Sequence, residues 1–81
     1  MNEESVMSTE AKVIFEALYS KYNKIALCKK EMAKETGFST SSLDRLRSLG
    51  LGCSYIKEKN GNIMYPLTEI AKYYSQVNQT A

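Results

Sequence analysis

Between Ser8 and Tyr22 the apolar residues Ala11, Ile14, Phe15, Leu18 and Tyr22 recur at steps of three and four, the spacing that lines one face of an α-helix. Ser8 or Thr9 supplies an N-cap and Asn23-Lys24 interrupts the stripe, so a helix is expected over 8–22. Val13, Ala17 and Tyr19 fall off the stripe. Either a second subunit covers them, making a homodimer through this helix, or they are incidental surface apolars, which are common. Ile25-Ala26-Leu27-Cys28 then reads as a short extended run. Lys29 to Thr36 is a short helix, and Gly37 is its natural terminator because glycine accepts the left-handed conformation without steric cost. Ser39-Thr40-Ser41-Ser42 each cap helices well. The helix they open runs through Leu43, Leu46 and Leu49 and ends at Gly50. Residues 29–50 therefore form a helix-turn-helix. Met32, Phe38, Leu43 and Leu46 are the positions that must be apolar to bury its crossing, and Ala33 is small enough to let the helices approach.

Residues 53–65 carry two strand-like runs around Asn60-Gly61, a strong short hairpin signal. A two-residue loop sets Lys59 opposite Asn62, Glu58 opposite Ile63, Lys57 opposite Met64 and Ile56 opposite Tyr65. Alternation then puts Ile56, Ile63 and Tyr65 on the core face. Tyr55, Lys57, Lys59, Asn62 and Met64 go to the other face, which makes the hairpin a wing. Pro66 stops the second strand, and Leu67, Ile70, Ala71 and Tyr74 mark a closing helix over 67–75. Residues 1–7 and 77–81 are expected as tails. The expected fold is mainly α with a small β-hairpin: a winged helix-turn-helix with an extra N-terminal helix, filling residues 8–76.

At 81 residues the chain has room for one domain and a small core. Histidine is absent, which removes the commonest general base and metal ligand. Cys28 and Cys53 have no C-x-x-C partner, so no zinc site can be assembled; two reduced, partly buried thiols are expected. No nucleophile–base pair or phosphate loop can be built either. An enzyme, a cofactor, a metal and a small-molecule substrate are therefore not expected. No apolar run is long enough to span a bilayer and MNEESVMSTE is polar, so a cytoplasmic location away from membranes is expected. Net charge is +2, unevenly spread: 21–59 carries +5 and the flanks together −3. A basic centre between acidic ends suggests an anionic partner, although a mixed solvated surface would look the same.

From Lys29 to Tyr74 the chain resembles the AlpA/excisionase type of MerR-like winged-helix DNA-binding proteins. The resemblance rests on Lys29-Lys30-Glu31-Met32-Ala33, Thr36-Gly37-Phe38-Ser39, Ser42-Leu43-Asp44-Arg45-Leu46-Arg47, Tyr55-Ile56-Lys57 and Tyr65-Pro66-Leu67. It implies sequence-specific double-stranded DNA binding by a small phage- or plasmid-type transcriptional regulator or excisionase-like factor. The helix from 8 to 22 lies outside the resemblance.

Around the second helix, at 100° per residue, Ser41, Asp44 and Ser48 point away from Leu43, flanked by Thr40 and Arg45. Ser39 or Thr40 is expected to cap; Ser41, with Thr40, remains for bases or phosphates, and Ser42 lies nearer the core side. Arg45 is the expected base reader, since its planar fork engages guanine O6 and N7 together. Arg47 is nearer the core, for a phosphate or an ion pair with Asp44. Asp44 must either accept from cytosine N4 or be neutralised by an arginine, and structural pairing is the expectation. Lys57, Lys59 and Asn60 are expected on phosphates or in a minor groove, with Lys29 and Lys30 gripping the backbone or merely solubilising. The alternative is a winged-helix protein–protein module, favoured by tyrosines at both ends (Tyr19, Tyr22, Tyr73, Tyr74).

Overall fold

The helices of this protein begin and end where local caps close them. Its computed structural model describes residues 8–80, with side chains as far as Gln76; residues 1–7 and Ala81, read as tail, lie outside it. α1 spans Thr9–Tyr22: Ser8 accepts the Ala11 N–H at 3.1 Å, and Asn23, at φ 56°, donates its N–H to the Tyr19 carbonyl. α2 spans Lys29–Thr36, with the Glu31 carboxylate accepting from the Cys28 N–H at 3.0 Å and Gly37 ending it. Thr36 shapes the turn that follows. Its hydroxyl donates to the Met32 carbonyl at 2.8 Å and accepts the Phe38 N–H at 3.2 Å. α3 spans Thr40–Ser48 with Ser39 as its N-cap. Beyond it, Gly50 donates to the Arg47 carbonyl and Leu51 to the Leu46 carbonyl, the two bonds of a Schellman ending. Gly50 sits there at φ 75°, where a side chain would be strained.

Three strands tie the helices together: β1 (Ala26–Cys28), β2 (Ile56–Lys57) and β3 (Ile63–Pro66), antiparallel in the order β1-β3-β2. The extended run at 26–28 thus finds a partner that its own sequence does not indicate. Leu27 pairs with Tyr65 and Cys28 with Met64, while the Leu67 N–H reaches the Ile25 carbonyl at 2.8 Å. β3 runs directly into α4 (Leu67–Thr80), which packs along α1. This helix continues past residue 75, where the apolar pattern ends, so 77–80 are helical backbone and not a tail.

The hairpin register differs from the expected one. Ile56 pairs with Met64 and Lys57 with Ile63, one residue off the two-residue arrangement. The loop has three residues, Lys59 to Gly61: the Gly61 N–H bonds the Glu58 carbonyl and the Glu58 N–H bonds the Asn62 carbonyl, each at 2.8 Å. Gly61, at φ 90°, supplies the positive-φ step that a three-residue loop needs. A one-residue slip exchanges the faces of one strand relative to the other. Ile56 consequently lies outward with Met64 and is 53% exposed, while Tyr55 takes the Tyr65 face, its ring edge-on to Tyr65 but still 44% exposed, and Lys57, expected beside Met64, pairs with Ile63 instead.

The core is built from Leu18, Leu27, Met32, Leu43, Ile63, Tyr65, Leu67 and Ile70, drawing on α1, the sheet, α2, α3 and α4. Leu27, Leu67 and Ile70 are its fully buried centre. Phe38, expected to bury the crossing, and Leu49, expected in the apolar run of the second helix, are instead exposed at 44% and 63%. Leu49 is the C-cap of α3, still in helical conformation, and at 100° per residue it lies about 120° round the helix from Leu43, on the flank with Phe38 and not on the core face. Cys28 and Cys53 are free thiols, and burial pushes the Cys53 thiol up to about 12. Val13, Ala17 and Tyr19 are all exposed; Val13 and Ala17 share one flank of α1, and Tyr19 stacks on Phe15.

Between α1 and α2, Tyr22 donates to Glu35 Oε1 at 2.6 Å and Lys21 reaches the same oxygen at 3.1 Å. The Tyr22 hydroxyl, then Lys21, hold the Glu35 carboxyl below its ordinary value, while the bond to Glu35 pushes the Tyr22 phenol up to about 12. A lowered acid stabilises the fold above its unfolded pKa and loses that contribution on acidification; a raised phenol contributes below its unfolded pKa and loses it on alkalinisation. Tyr22→Phe should therefore cost about 1 kcal/mol near neutrality, the low end for a bond to a partly solvated charge. In denaturant unfolding, the gap between the wild type and this variant should close as pH falls below the 4.5 of a free carboxyl. It should close again as pH rises from 10.0 towards 12. Gly61→Ala has open space for its methyl group but the wrong φ, and should cost about 1–2 kcal/mol in the same assay.

Candidate nucleic-acid interface

α3 owes its exposure to having a single buried side chain, Leu43. Ser39 accepts the Ser42 N–H at 3.1 Å and donates to the Ser42 hydroxyl at 3.1 Å, so both serines serve the start of the helix. Thr40, Ser41, Arg45 and Ser48 face outward, and none of their side chains makes a hydrogen bond or ion pair among the described residues. The helix N-terminus adds outward-pointing N–H groups to this face, the arrangement that attracts phosphate.

One flank of α3 is ionic. Asp44 Oδ1 lies 2.9 Å from Lys29 Nζ at the start of α2 and 2.9 Å from Arg47 Nη2 one turn along its own helix. Lys29 first, then Arg47, hold the Asp44 carboxyl below its ordinary value, and Asp44 in turn holds the Arg47 guanidinium above its own. Arg47 lies 5.5 Å from the Tyr55 ring, a cation–π contact to the base of the hairpin. Its Nη1 is buried without a hydrogen-bond partner. On the same side a shallow groove runs between Lys29 and Lys30 of α2 and Gly61, Asn62 and Met64 of the hairpin. The start of α2 and the hairpin tip are therefore neighbours, and Lys29 links them to α3. Lys30, Lys57 and Lys59 stay exposed. Asn60 is also exposed, but its side-chain carbonyl accepts the Asn62 N–H at 3.0 Å and so closes the turn.

The other flank is apolar. Phe38, Leu46 and Leu49 form a groove with Ser42 and Arg45 at its edge, and Leu51, 58% exposed, follows the helix ending.

Of the residues expected to form a site, Thr40, Ser41, Arg45 and Ser48 share the open face of α3. Lys29 and Lys30 line the groove towards the hairpin tip, while Lys57, Lys59 and Asn60 are exposed on the hairpin itself. Ser39 and Ser42 are engaged in capping, Lys29 in an ion pair, and Arg47 in the Asp44 pair, one of its two expected roles. Sequence reading undervalued Asp44 as a hub. Its i,i+3 pairing with Arg47 has a sequence signal, but its pairing with Lys29, fifteen positions away, has none. Tyr55 was missed as a partner of Arg47 because the hairpin register assigned it to the wrong face. Among the described residues, no group of three or more His, Cys, Asp or Glu side chains could hold a metal ion. Among them, too, no helix is long and apolar enough to cross a membrane. Compared with family models, curated proteins and solved structures, the chain matches none.

Proposed function

We propose that this protein is a winged helix-turn-helix that binds double-stranded DNA sequence-specifically, as a small regulator or excisionase-like factor. In this reading α3 enters the major groove, with the β2–β3 hairpin on the adjacent backbone. The observation that carries it is the open face of α3: three hydroxyls (Thr40, Ser41, Ser48) and Arg45 with no side-chain hydrogen bond or ion pair among the described residues, beside Lys29 of α2, which pairs with Asp44. An arginine held out on a helix face is suited to guanine, and hydroxyls to bases or phosphates. Lys30, Lys57 and Lys59 would supply affinity by displacing counterions, without sequence information. The resemblance of residues 29–74 to AlpA/excisionase-type proteins points the same way. The apolar groove at Phe38, Leu46 and Leu49 favours a second reading, a protein–protein module with α3 at its centre.

A homodimer through the Val13–Ala17 flank of α1 belongs to the same proposal, because paired half-sites suit a small DNA-binding domain. Light scattering should then give twice the monomer mass, and Val13→Glu should return it to a monomer; a wild-type monomer at high concentration removes the dimer.

Gel-shift and filter-binding assays on duplexes selected from random DNA test the DNA reading. Arg45→Ala should lose roughly 1–3 kcal/mol and relax the preference at one position. Lys57→Ala and Lys59→Ala should weaken all duplexes about equally and each reduce the salt slope by about 1. If Arg45→Ala changes neither affinity nor preference, α3 is not the reading element. A protein that retains no duplex but captures a polypeptide through Phe38 favours the second reading.

A further inference from the structure

We propose that Asp44 reads the exocyclic amino group of a cytosine in the major groove, an inference that rests on the DNA-binding reading above. Both cations of its pair bind one oxygen: Lys29 Nζ and Arg47 Nη2 each lie 2.9 Å from Oδ1. No hydrogen bond reaches Oδ2 among the described residues, and the side chain keeps 46% of its accessible surface. The two anchors come from different helices, α2 and α3, so they restrain the carboxyl group from two directions and hold Oδ2 as a fixed acceptor. Two cations against one carboxylate leave the cluster with a net positive charge. The phosphate backbone then does not repel Asp44 as it would a lone acid.

Position agrees with this role. At 100° per residue, Asp44 projects about 60° from Ser41 and about 40° from Ser48, at the edge where the open face of the helix meets its ionic flank. Arg45, the neighbouring side chain, is the one suited to guanine. The choice of base follows from the acceptor. Cytosine presents an amino donor as its only polar group in the major groove, which a carboxylate oxygen can accept. Adenine sets its N7 acceptor beside its amino group, where a second oxygen would meet a like partial charge; that edge suits the mixed amide of Asn or Gln.

Binding-site selection from random duplexes, run with the full chain and with Asp44→Ala and Asp44→Asn, tests the assignment, with circular dichroism to show that each variant folds. The wild type should enrich a cytosine at one position that Asp44→Ala leaves random, and Asp44→Asn should drift towards adenine there. The guanine assigned to Arg45 should persist in all three. On the selected duplex, replacing that cytosine by an analogue lacking the amino group should weaken wild-type binding on the order of tenfold and leave Asp44→Ala unaffected. Identical motifs from all three proteins, or equal loss from the analogue in wild type and Asp44→Ala, would overturn the role of Asp44 and leave DNA binding standing. If the folded wild type enriches no sequence, the DNA reading and this inference fall together.

Discussion

Antiparallel pairing of Leu27 with Tyr65 joins the front half of the chain to the back half, and the placement of Lys29 and Lys30 at the start of α2 depends on it. β1 runs straight into α2, so fixing Cys28 opposite Met64 fixes where Lys29 and Lys30 begin. β3 runs straight into α4, so the same register seats Leu67 and Ile70 in the core and lays α4 along α1. Both residues of the central pair are buried, Leu27 completely. A slip by one residue would turn Tyr65 and Ile63 outward and strand a bulky phenol and a branched aliphatic in water.

From that register follows the asymmetry around α3. Its exposed face is flanked on one side by Lys29, Asp44, Arg47 and Tyr55, which tie it to α2 and the hairpin, and on the other by the uncovered carbons of Phe38 and Leu49. The ionic flank has geometric as well as electrostatic consequences. Lys29 and Arg47 are held in place by Asp44, whereas Lys30, Lys57 and Lys59 stay exposed. Arg45, with no partner among the described residues, keeps its full hydrogen-bonding capacity for another molecule.

Much of the local structure was legible in the residues. The ends of α1, α2 and α3 lie within a residue or two of the positions marked by Ser8, Gly37, Ser39 and Gly50, because a cap is an interaction between residues three to five apart and is written where it acts. The exposed set on α3 was legible too, since helical periodicity alone sends Ser41, Arg45 and Ser48 away from Leu43. The hairpin was located correctly and registered wrongly. Asn60-Gly61 serves a two-residue or a three-residue loop equally well: both set Gly61 at positive φ, and the difference lies at Asn60, which a two-residue type I′ turn needs at positive φ and which does not adopt it. Leu49 follows Leu43 and Leu46 at steps of three, and each such step drifts about 60° round the helix, so it ends about 120° from Leu43 on the exposed flank.

The amino-acid sequence by itself determined the helices, their caps, the existence of a turn at Asn60-Gly61 and which face of α3 looks outward, since each of these is settled by neighbours within about one helical turn. Tertiary structure alone decided that residues 26–28 would become the third strand, that Ile56 would lie outside while Tyr55 met the Tyr65 ring, and that Lys29 would meet Asp44. These depend on contacts between segments far apart in the chain. Such contacts are selected by which pairing buries Leu27, Ile63 and Tyr65 together, a condition that the whole chain must satisfy at once and that no short stretch of it can state.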